Sequence, residues 1–192
     1  MNQWALSGAK IILRAKRGSD AAEDYEWRSD YELAELDDAP IIRINFQEYL
    51  YQYQEELQFP SSWSRRFAID TIEGLHIGNC MYYEVNFIDN SAELGILLGN
   101  RDYWDKGYGT DAVIVLLNYI FGDTQLGRVY LHTLSWNIRA QKSFEKTGFI
   151  GGKTVNRNGK QFLRMEITRK RWLELQKDPQ ILEVIPIEFG TP

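Results

Sequence analysis

The 192 residues of the chain fit one globular domain of ordinary size. Hydrophobic residues make up 44% and charged residues 26%, proportions that exclude disordered and fibrous proteins. The formal net charge of -5 argues against a nucleic-acid partner, because such proteins need a basic surface to hold phosphate. Cys80 is the only cysteine, which excludes an intramolecular disulfide and a multi-cysteine metal site.

The composition along the chain also bears on location and on metals. The first residues contain no apolar run that could form the core of a signal peptide, and nowhere are there the roughly 18 consecutive apolar residues of a membrane span. We therefore expect a soluble, cytoplasmic protein without a membrane partner. His76 and His132 have no second histidine at ligand spacing, so no metal site is expected.

The first part of the chain predicts one strand and two helices. Residues 10–15 are mostly β-branched and apolar, which is typical of a strand. A helix is predicted over 21–28, because Ser19 or Asp20 can cap it and acids fill its first turns. A second helix is predicted over 46–57, where apolar side chains recur at helical spacing.

Between residues 65 and 99 the helical period disappears and an antiparallel meander is predicted. The three strands run over 65–71, 75–87 and 93–99. Turn signals at 73–74 and 89–91 separate them. The last of these strands leads directly into a stretch rich in glycine.

The rest of the chain predicts helices and strands in alternation. These are a helix from about 107–110 to Gly122, a strand over 128–134, a helix over 137–147, strands over 149–155 and 160–167, and a helix over 168–177. The first of these helices is apolar on nearly every side, so we expect it to be buried against a sheet. Residues 1–177 thus predict a single mixed α+β domain. The apolar tail, 178–192, is expected to pack on its own domain or on a neighbouring subunit, so the chain would be a monomer or a homodimer.

The segment 96–111 joins the predicted buried strand to the buried helix. Gly107 and Gly109 leave the first backbone N–H groups of the helix without side-chain cover, and such groups attract a phosphate. A plain strand-to-helix turn is the other interpretation. The spacing lacks the third glycine of a dinucleotide-binding fingerprint and does not fit a Walker A loop.

Two motifs make the chain similar to a known family. W-x-K-G-Y-G-T spans 104–110, and N-x-R-A followed by K-x-G-F spans 137–149. With these motifs the chain, over about 10–168, resembles the GNAT superfamily of acyl-CoA-dependent N-acetyltransferases. It looks most like the branch of ribosomal-protein N-terminal and spermidine acetyltransferases. The resemblance implies a central, mostly antiparallel twisted sheet with a splayed pair of parallel strands, flanked by helices.

The resemblance also implies the activity. Acetyl-CoA would be the co-substrate, and direct attack by a primary amine would take its acetyl group. The acceptor would be a small molecule, such as a polyamine, an amino sugar or an aminoglycoside, or else a protein N-terminus.

The coenzyme A site follows from the same resemblance. Backbone N–H groups of the glycine loop would bind the pyrophosphate, and the backbone near Leu97 and Leu98 would polarise the thioester carbonyl. Asn137 would hold the pantetheine arm, although it is also a favourable helix N-cap. The helix after Asn137 carries a cationic stripe of Arg139, Lys142 and Lys146. This stripe would meet coenzyme A phosphates or lie in solvent. The implied residues are Leu97, Leu98, Trp104, Lys106, Gly107, Tyr108, Gly109, Thr110, Asn137, Arg139, Ser143 and Lys146.

Transfer to an amine requires a base, because a primary ammonium group has a pKa near about 10.4. Glu93 is the catalytic candidate, since the resemblance places a glutamate of this strand near the acceptor amine. The alternative is an edge carboxylate in solvent or a structural ion pair. His132 is predicted to be a bystander, with an acceptor contact or an alternative base as the second interpretation.

Two positions depart from the family pattern. Trp104 stands where many members have Gln or Arg. Phe144 stands where many members have a tyrosine that protonates the leaving sulfur, although a thiolate can leave without full protonation. Ser143 or Tyr108 could supply this proton instead. Phe144 also leaves open the alternative of a non-catalytic acyl-CoA-binding or sensor domain.

Residues 20–38 hold nine acids against one base, Arg28. The resemblance implies that the first helices overhang the acceptor site, so this acidic block would attract cationic amines. The other interpretation is that acidic helix faces only keep the protein soluble. A small or peptide amine is the expected partner, and the block would suit a cationic one.

Overall fold

The structure, a computed structural model, describes residues 5–177, so the predicted tail at 178–192 lies outside the described residues. The strands are β1 (Ala5–Ser7), β2 (Ile11–Arg14), β3 (Arg65–Thr71), β4 (His76–Asn86), β5 (Ser91–Leu98), β6 (Arg128–Leu134), β7 (Ile150–Arg157) and β8 (Lys160–Thr168). The helices are α1 (Ala21–Ser29), α2 (Tyr31–Leu36), α3 (Phe46–Gln58), α4 (Tyr108–Asp123), α5 (Ile138–Lys146) and α6 (Arg169–Leu175).

The strands form one sheet in the order β1-β2-β3-β4-β5-β6-β8-β7. All described neighbours are antiparallel except β5 and β6, which are parallel. That parallel pairing covers only Ser91 to Glu93 on β5 and Arg128 to Tyr130 on β6, after which the two strands separate. The predicted fold class, a mostly antiparallel sheet with a splayed parallel pair and flanking helices, is confirmed.

Helix α4 forms the centre of the core on one face of the sheet. Its sequence is apolar on nearly all sides, as a helix buried against a sheet requires, and this prediction is confirmed. Its buried side chains are Ala112, Val113, Val115, Leu116, Leu117, Tyr119, Ile120 and Phe121. Burying each large apolar side chain contributes about 1.5–3 kcal/mol, so α4 fixes the position of the glycine loop at its N-terminus.

The opposite face of β2 and β3 carries a buried charged cluster under α1. Arg14 alternates with core residues along β2, so its side chain points away from α4. Its guanidinium lies 2.8 Å from Asp20 and 2.5 Å from Asp70. Burial alone would lower the pKa of Arg14, but the hydrogen bonds to the two carboxylates outweigh burial and raise it. The arginine is therefore held as a cation between two buried anions.

Asp24 extends this cluster towards α3. Its carboxylate lies 2.5 Å from Lys16 Nζ and accepts hydrogen bonds from Asn79 at 2.6 Å and from the Tyr53 hydroxyl at 3.0 Å. Burial raises the pKa of Asp24, but the hydrogen bond from His76, the charge of Lys16 and its other hydrogen bonds lower it to about 2. Asp24 is thus a structural anion that joins α1 and α3 to the sheet.

Two short elements, β1 and α2, are absent from the sequence-based prediction. β1 has three residues at the edge of the sheet, and α2 has six, too few to produce a periodic pattern. The start of α2 does carry a local signal, because Asp30 caps it by accepting the Leu33 N–H at 3.0 Å. Within residues 5–177, no helix combines the length and apolarity needed to cross a membrane, and no cluster of three or more His, Cys, Asp or Glu could hold a metal ion.

Candidate active site

A cavity of about 410 Å³ opens where β5 and β6 separate. Residues 94–98 of β5 form one wall and residues 131–134 of β6 the other, and the start of α4 and one face of α5 complete it. Because pairing with β6 stops at Glu93, the backbone groups beyond it that face β6 have no strand partner. Leu97 and Leu98 both line the cavity, and the Leu98 carbonyl accepts a hydrogen bond from Trp104 Nε1 at 2.8 Å.

The glycine loop lies at one end of this cavity. Gly107 is the N-cap of α4 in a left-handed conformation, with φ of 86°, and no side chain caps the helix. The N–H of Asp111 makes the first helical bond, to the Gly107 carbonyl, so the three preceding N–H groups have no helical partner. A Cβ atom on Gly109 would lie 3.4 Å from a Leu98 methyl group. Unpaired N–H groups without covering side chains fit an anionic group such as a pyrophosphate.

Two residues that the sequence analysis did not single out hold the loop in place. The carboxylate of Asp111 accepts hydrogen bonds from the backbone N–H groups of 9–11, the turn that leads into β2. Lys10 Nζ donates to the Lys106 carbonyl at 2.8 Å. The Lys106 side chain is exposed, and neither it nor Tyr108 lines the cavity. About 100 residues separate the partners, so no local pattern could have revealed these contacts.

Helix α5 forms a wall of the cavity next to the loop. Asn137 is its N-cap, with the side chain accepting the Ala140 N–H at 3.1 Å. The hydroxyls of Ser143 and Thr110 lie 2.9 Å apart and tie α5 to the start of α4. Six residues of this region line the cavity. They are Trp104, Asn137, Arg139, Lys142, Ser143 and Lys146. The resemblance implied all of them as coenzyme A contacts except Lys142, for which a phosphate contact and a solvated face were both open.

Trp104 and Arg139 close one side of the cavity. The Arg139 guanidinium stands 3.9 Å from the centroid of the Trp104 ring, a cation–π contact between the loop and α5. Phe144 also lines the cavity, and it packs edge-to-face on Phe149 with ring centroids 5.9 Å apart. Phe144 therefore supplies an apolar wall at the position where a tyrosine would supply a proton.

Glu93 lies at the point where the strands separate. It is 3% exposed, which rules out the interpretation of an edge carboxylate in solvent. Its carboxylate lies 2.8 Å from His132 Nδ1, and Tyr83 is its register partner on β4. Burial and the negative charge of Glu93 raise the pKa of Tyr83. His132 and Tyr83 line the cavity, and Glu93 does not.

The acids of residues 20–38 do not form one continuous wall. Ion pairs engage Asp20, Asp24, Asp30, Glu32 and Asp38. Glu23, Glu26 and Glu35 are exposed. Of these nine acids, all within the described residues, only Asp37 lines the cavity. Asp37 is itself exposed, and the desolvation it does experience raises the pKa of its carboxyl group above the usual value, against the opposing charge of Arg28.

Comparison with known proteins agrees with this geometry. The model of the acetyltransferase (GNAT) domain family matches residues 10–150. Spermidine N(1)-acetyltransferase of Vibrio cholerae is 30% identical over 86 residues, which are 45% of this chain and 49% of that protein. The match thus spans about half the length of the curated relative.

Two solved structures have a similar fold. Spermidine N-acetyltransferase from Vibrio cholerae, in complex with CoA and spermine, has a TM-score of 0.75 at 22% identity, over 85% of this chain and 98% of that one. An aminoglycoside acetyltransferase in complex with coenzyme A has a TM-score of 0.72 at 23% identity, over 86% of this chain and 99% of that one. At these identities the likeness shows the fold alone. Because the family model covers most of the residues, the chain belongs to the acetyltransferase (GNAT) domain family.

Proposed function

We propose that the protein transfers an acetyl group from acetyl-CoA to a primary amine of a small cationic molecule of the polyamine class. The observation that carries this proposal is the cavity between the separated strands. The glycine loop with its uncovered N–H groups and Asp37 with its carboxylate both line this cavity. One cavity thus offers groups that suit an anionic donor and a cationic acceptor.

The glycine loop would bind coenzyme A. The uncovered N–H groups of residues 108–110 would receive the pyrophosphate, aided by the positive end of the α4 dipole. Arg139, Lys142 and Lys146 line the same cavity and would face the phosphates. An unpaired backbone N–H on β5 near Leu97 would polarise the thioester carbonyl, because it is fixed where negative charge develops.

Asp37 would select for a second positive charge. Asp37 opens into the cavity from the end of α2, and an ammonium group bound there would leave a second amine of the same molecule free to reach the thioester. Charge-assisted hydrogen bonds of this kind contribute about 1.5–3 kcal/mol. The similarity to spermidine acetyltransferases, one of them in complex with spermine, supports a polyamine.

Asp37→Asn tests this selectivity. We expect the variant to raise the KM for spermidine about tenfold while that for butylamine, which has one charge, changes little. In the wild type the spermidine KM should fall as rising pH ionises Asp37, whose pKa is raised by desolvation, and the variant should lose this step. Steady-state kinetics with both amines supplies the measurement.

Glu23→Gln is the matched control, since Glu23 is an exposed acid of α1 that does not line the cavity. Its KM values should equal those of the wild type. An Asp37→Asn variant that changes the two KM values by the same factor would contradict the role of Asp37 in selectivity.

A further inference from the structure

We propose that His132, not Glu93, takes the proton from the acceptor amine, and that Glu93 is a positioning residue behind it. This assignment rests on the proposed function. It starts from the two side chains, which are 7% and 4% exposed: His132 lines the cavity, and Glu93 does not. The amine therefore meets the imidazole before it can meet the carboxylate.

The contacts of Glu93 are already made within the protein. Its carboxylate accepts from His132 Nδ1 at 2.8 Å. This donor on β6 holds the carboxylate in one orientation. A carboxylate that is 3% exposed and bonded in this way orients its donor rather than reaching a ligand.

The hydrogen bonds of the imidazole define its tautomer. Arg157 Nη2, from the β7–β8 hairpin, lies 3.3 Å from His132 Nε2. A guanidinium can only donate, so Nε2 accepts and the ring proton is on Nδ1, where it donates to Glu93. This is the arrangement by which a buried carboxylate orients a catalytic histidine in hydrolases. An acceptor ammonium can replace the exposed Arg157 as the donor to Nε2.

The position of His132 on β6 suits a residue that takes a proton from the acceptor amine. His132 is two residues beyond Tyr130, the last residue of β6 that pairs with β5, so it lies where the strands have separated. Other titratable or charged groups around the ring are Tyr130 on its own strand, with ring centroids 5.7 Å apart, and Arg164, which is its register partner on β8. Glu93 is the anion in direct contact with it, and this charge would stabilise the imidazolium.

The proposed transfer moves two protons from the ammonium nitrogen and exchanges a C–S bond for a C–N bond. The ammonium gives one proton to Nε2, and the freed lone pair forms a C–N bond with the thioester carbonyl carbon. The C–S bond then breaks, and the sulfur leaves with its electron pair. The second proton of the nitrogen goes to that thiolate, and the imidazolium releases the first proton to solvent. The products are the N-acetyl amine, coenzyme A and one proton.

Kinetics of His132→Ala test the base directly. We expect kcat to fall by about 10² to 10⁴ while the acetyl-CoA KM stays within about twofold, and we expect added imidazole to restore part of the rate. Recovery by imidazole would show that the variant lacks a proton acceptor. Imidazole would not restore the rate of a variant that had lost only a structural contact. A variant that keeps the wild-type rate would overturn the assignment.

The pH profile of Glu93→Gln tests the positioning role. Glutamine can still accept from Nδ1 but lacks the charge that stabilises the imidazolium. We therefore expect a smaller loss of kcat than in His132→Ala, and we expect the acidic limb of the kcat/KM profile to move to lower pH. If Glu93→Gln abolishes turnover and imidazole does not rescue His132→Ala, Glu93 itself is the base. A wild type that acetylates no amine would instead overturn the proposed function.

Discussion

Replacing Gly109 by phenylalanine should weaken acetyl-CoA binding by at least about 100-fold. Gly109 lines the cavity in the first turn of α4, where three N–H groups have no helical partner. A Cβ atom there already contacts Leu98 at 3.4 Å, so a large side chain must extend into the space for the phosphates. Losing two charge-assisted hydrogen bonds of about 1.5–3 kcal/mol each accounts for this factor.

Gly122→Phe is the matched control for this experiment. Gly122 lies near the other end of α4, and a Cβ atom there meets nothing within 4 Å. Isothermal titration calorimetry of both variants with acetyl-CoA should show wild-type affinity for the control and no measurable heat for Gly109→Phe. Equal affinities in the two variants would mean that the pyrophosphate does not bind at this loop.

Replacing Arg14 by methionine should lower the free energy of unfolding by about 3–5 kcal/mol. The substitution removes the cation and leaves Asp20 and Asp70 as buried carboxylates, each less than a tenth exposed. Removing one partner of a buried ion pair costs this much because the remaining charge loses its compensation. Since Asp20 is the N-cap of α1 and Asp70 lies on β3, the loss should affect the packing of α1 on the sheet.

Arg66→Met provides the comparison. Arg66 lies 2.5 Å from Glu56, but the two side chains are 54% and 61% exposed. An exposed pair contributes at most about 1 kcal/mol, so this variant should unfold almost as the wild type does. Urea denaturation followed by circular dichroism gives both values. Similar losses of unfolding free energy in the two variants would show that burial does not determine how much the Arg14 ion pairs contribute to stability.

The elements with strong local signals could be predicted from the sequence. The sequence Asn158-Gly159 is typical of a hairpin turn and joins β7 to β8 with φ of 50° and 79°, and Gly148, a favourable C-terminal cap, follows α5 with φ of 93°. The apolar stripe of α3 was less informative. Phe46 and Leu57 are 40% and 37% exposed, because the helix covers a charged cluster and buries mainly Tyr53. Periodicity indicates a helix, but it does not indicate what the helix covers.

The donor side of the site was more predictable than the acceptor side. The glycine loop and the start of α5 are continuous motifs, so resemblance alone could assign them. The contact of Glu93 with His132 joins residues 39 apart in the chain, and that of Asp111 with Lys10 joins residues 101 apart. Such contacts depend on the register of the sheet and the packing of α4. Asp37 is one acid among nine, and only the fold distinguishes it.

Mass spectrometry of the products formed with acetyl-CoA tests the proposed activity most directly. The acceptors would be spermidine, an aminoglycoside, a nucleotide-linked amino sugar and a peptide with a free N-terminus. We expect spermidine to gain one acetyl group per coenzyme A released, faster than the nucleotide-linked amino sugar, whose phosphates are anionic, and faster than the peptide. Acetyl-CoA binding without acetylation of any of these amines would contradict the activity and favour a domain that binds the acyl donor without catalysis.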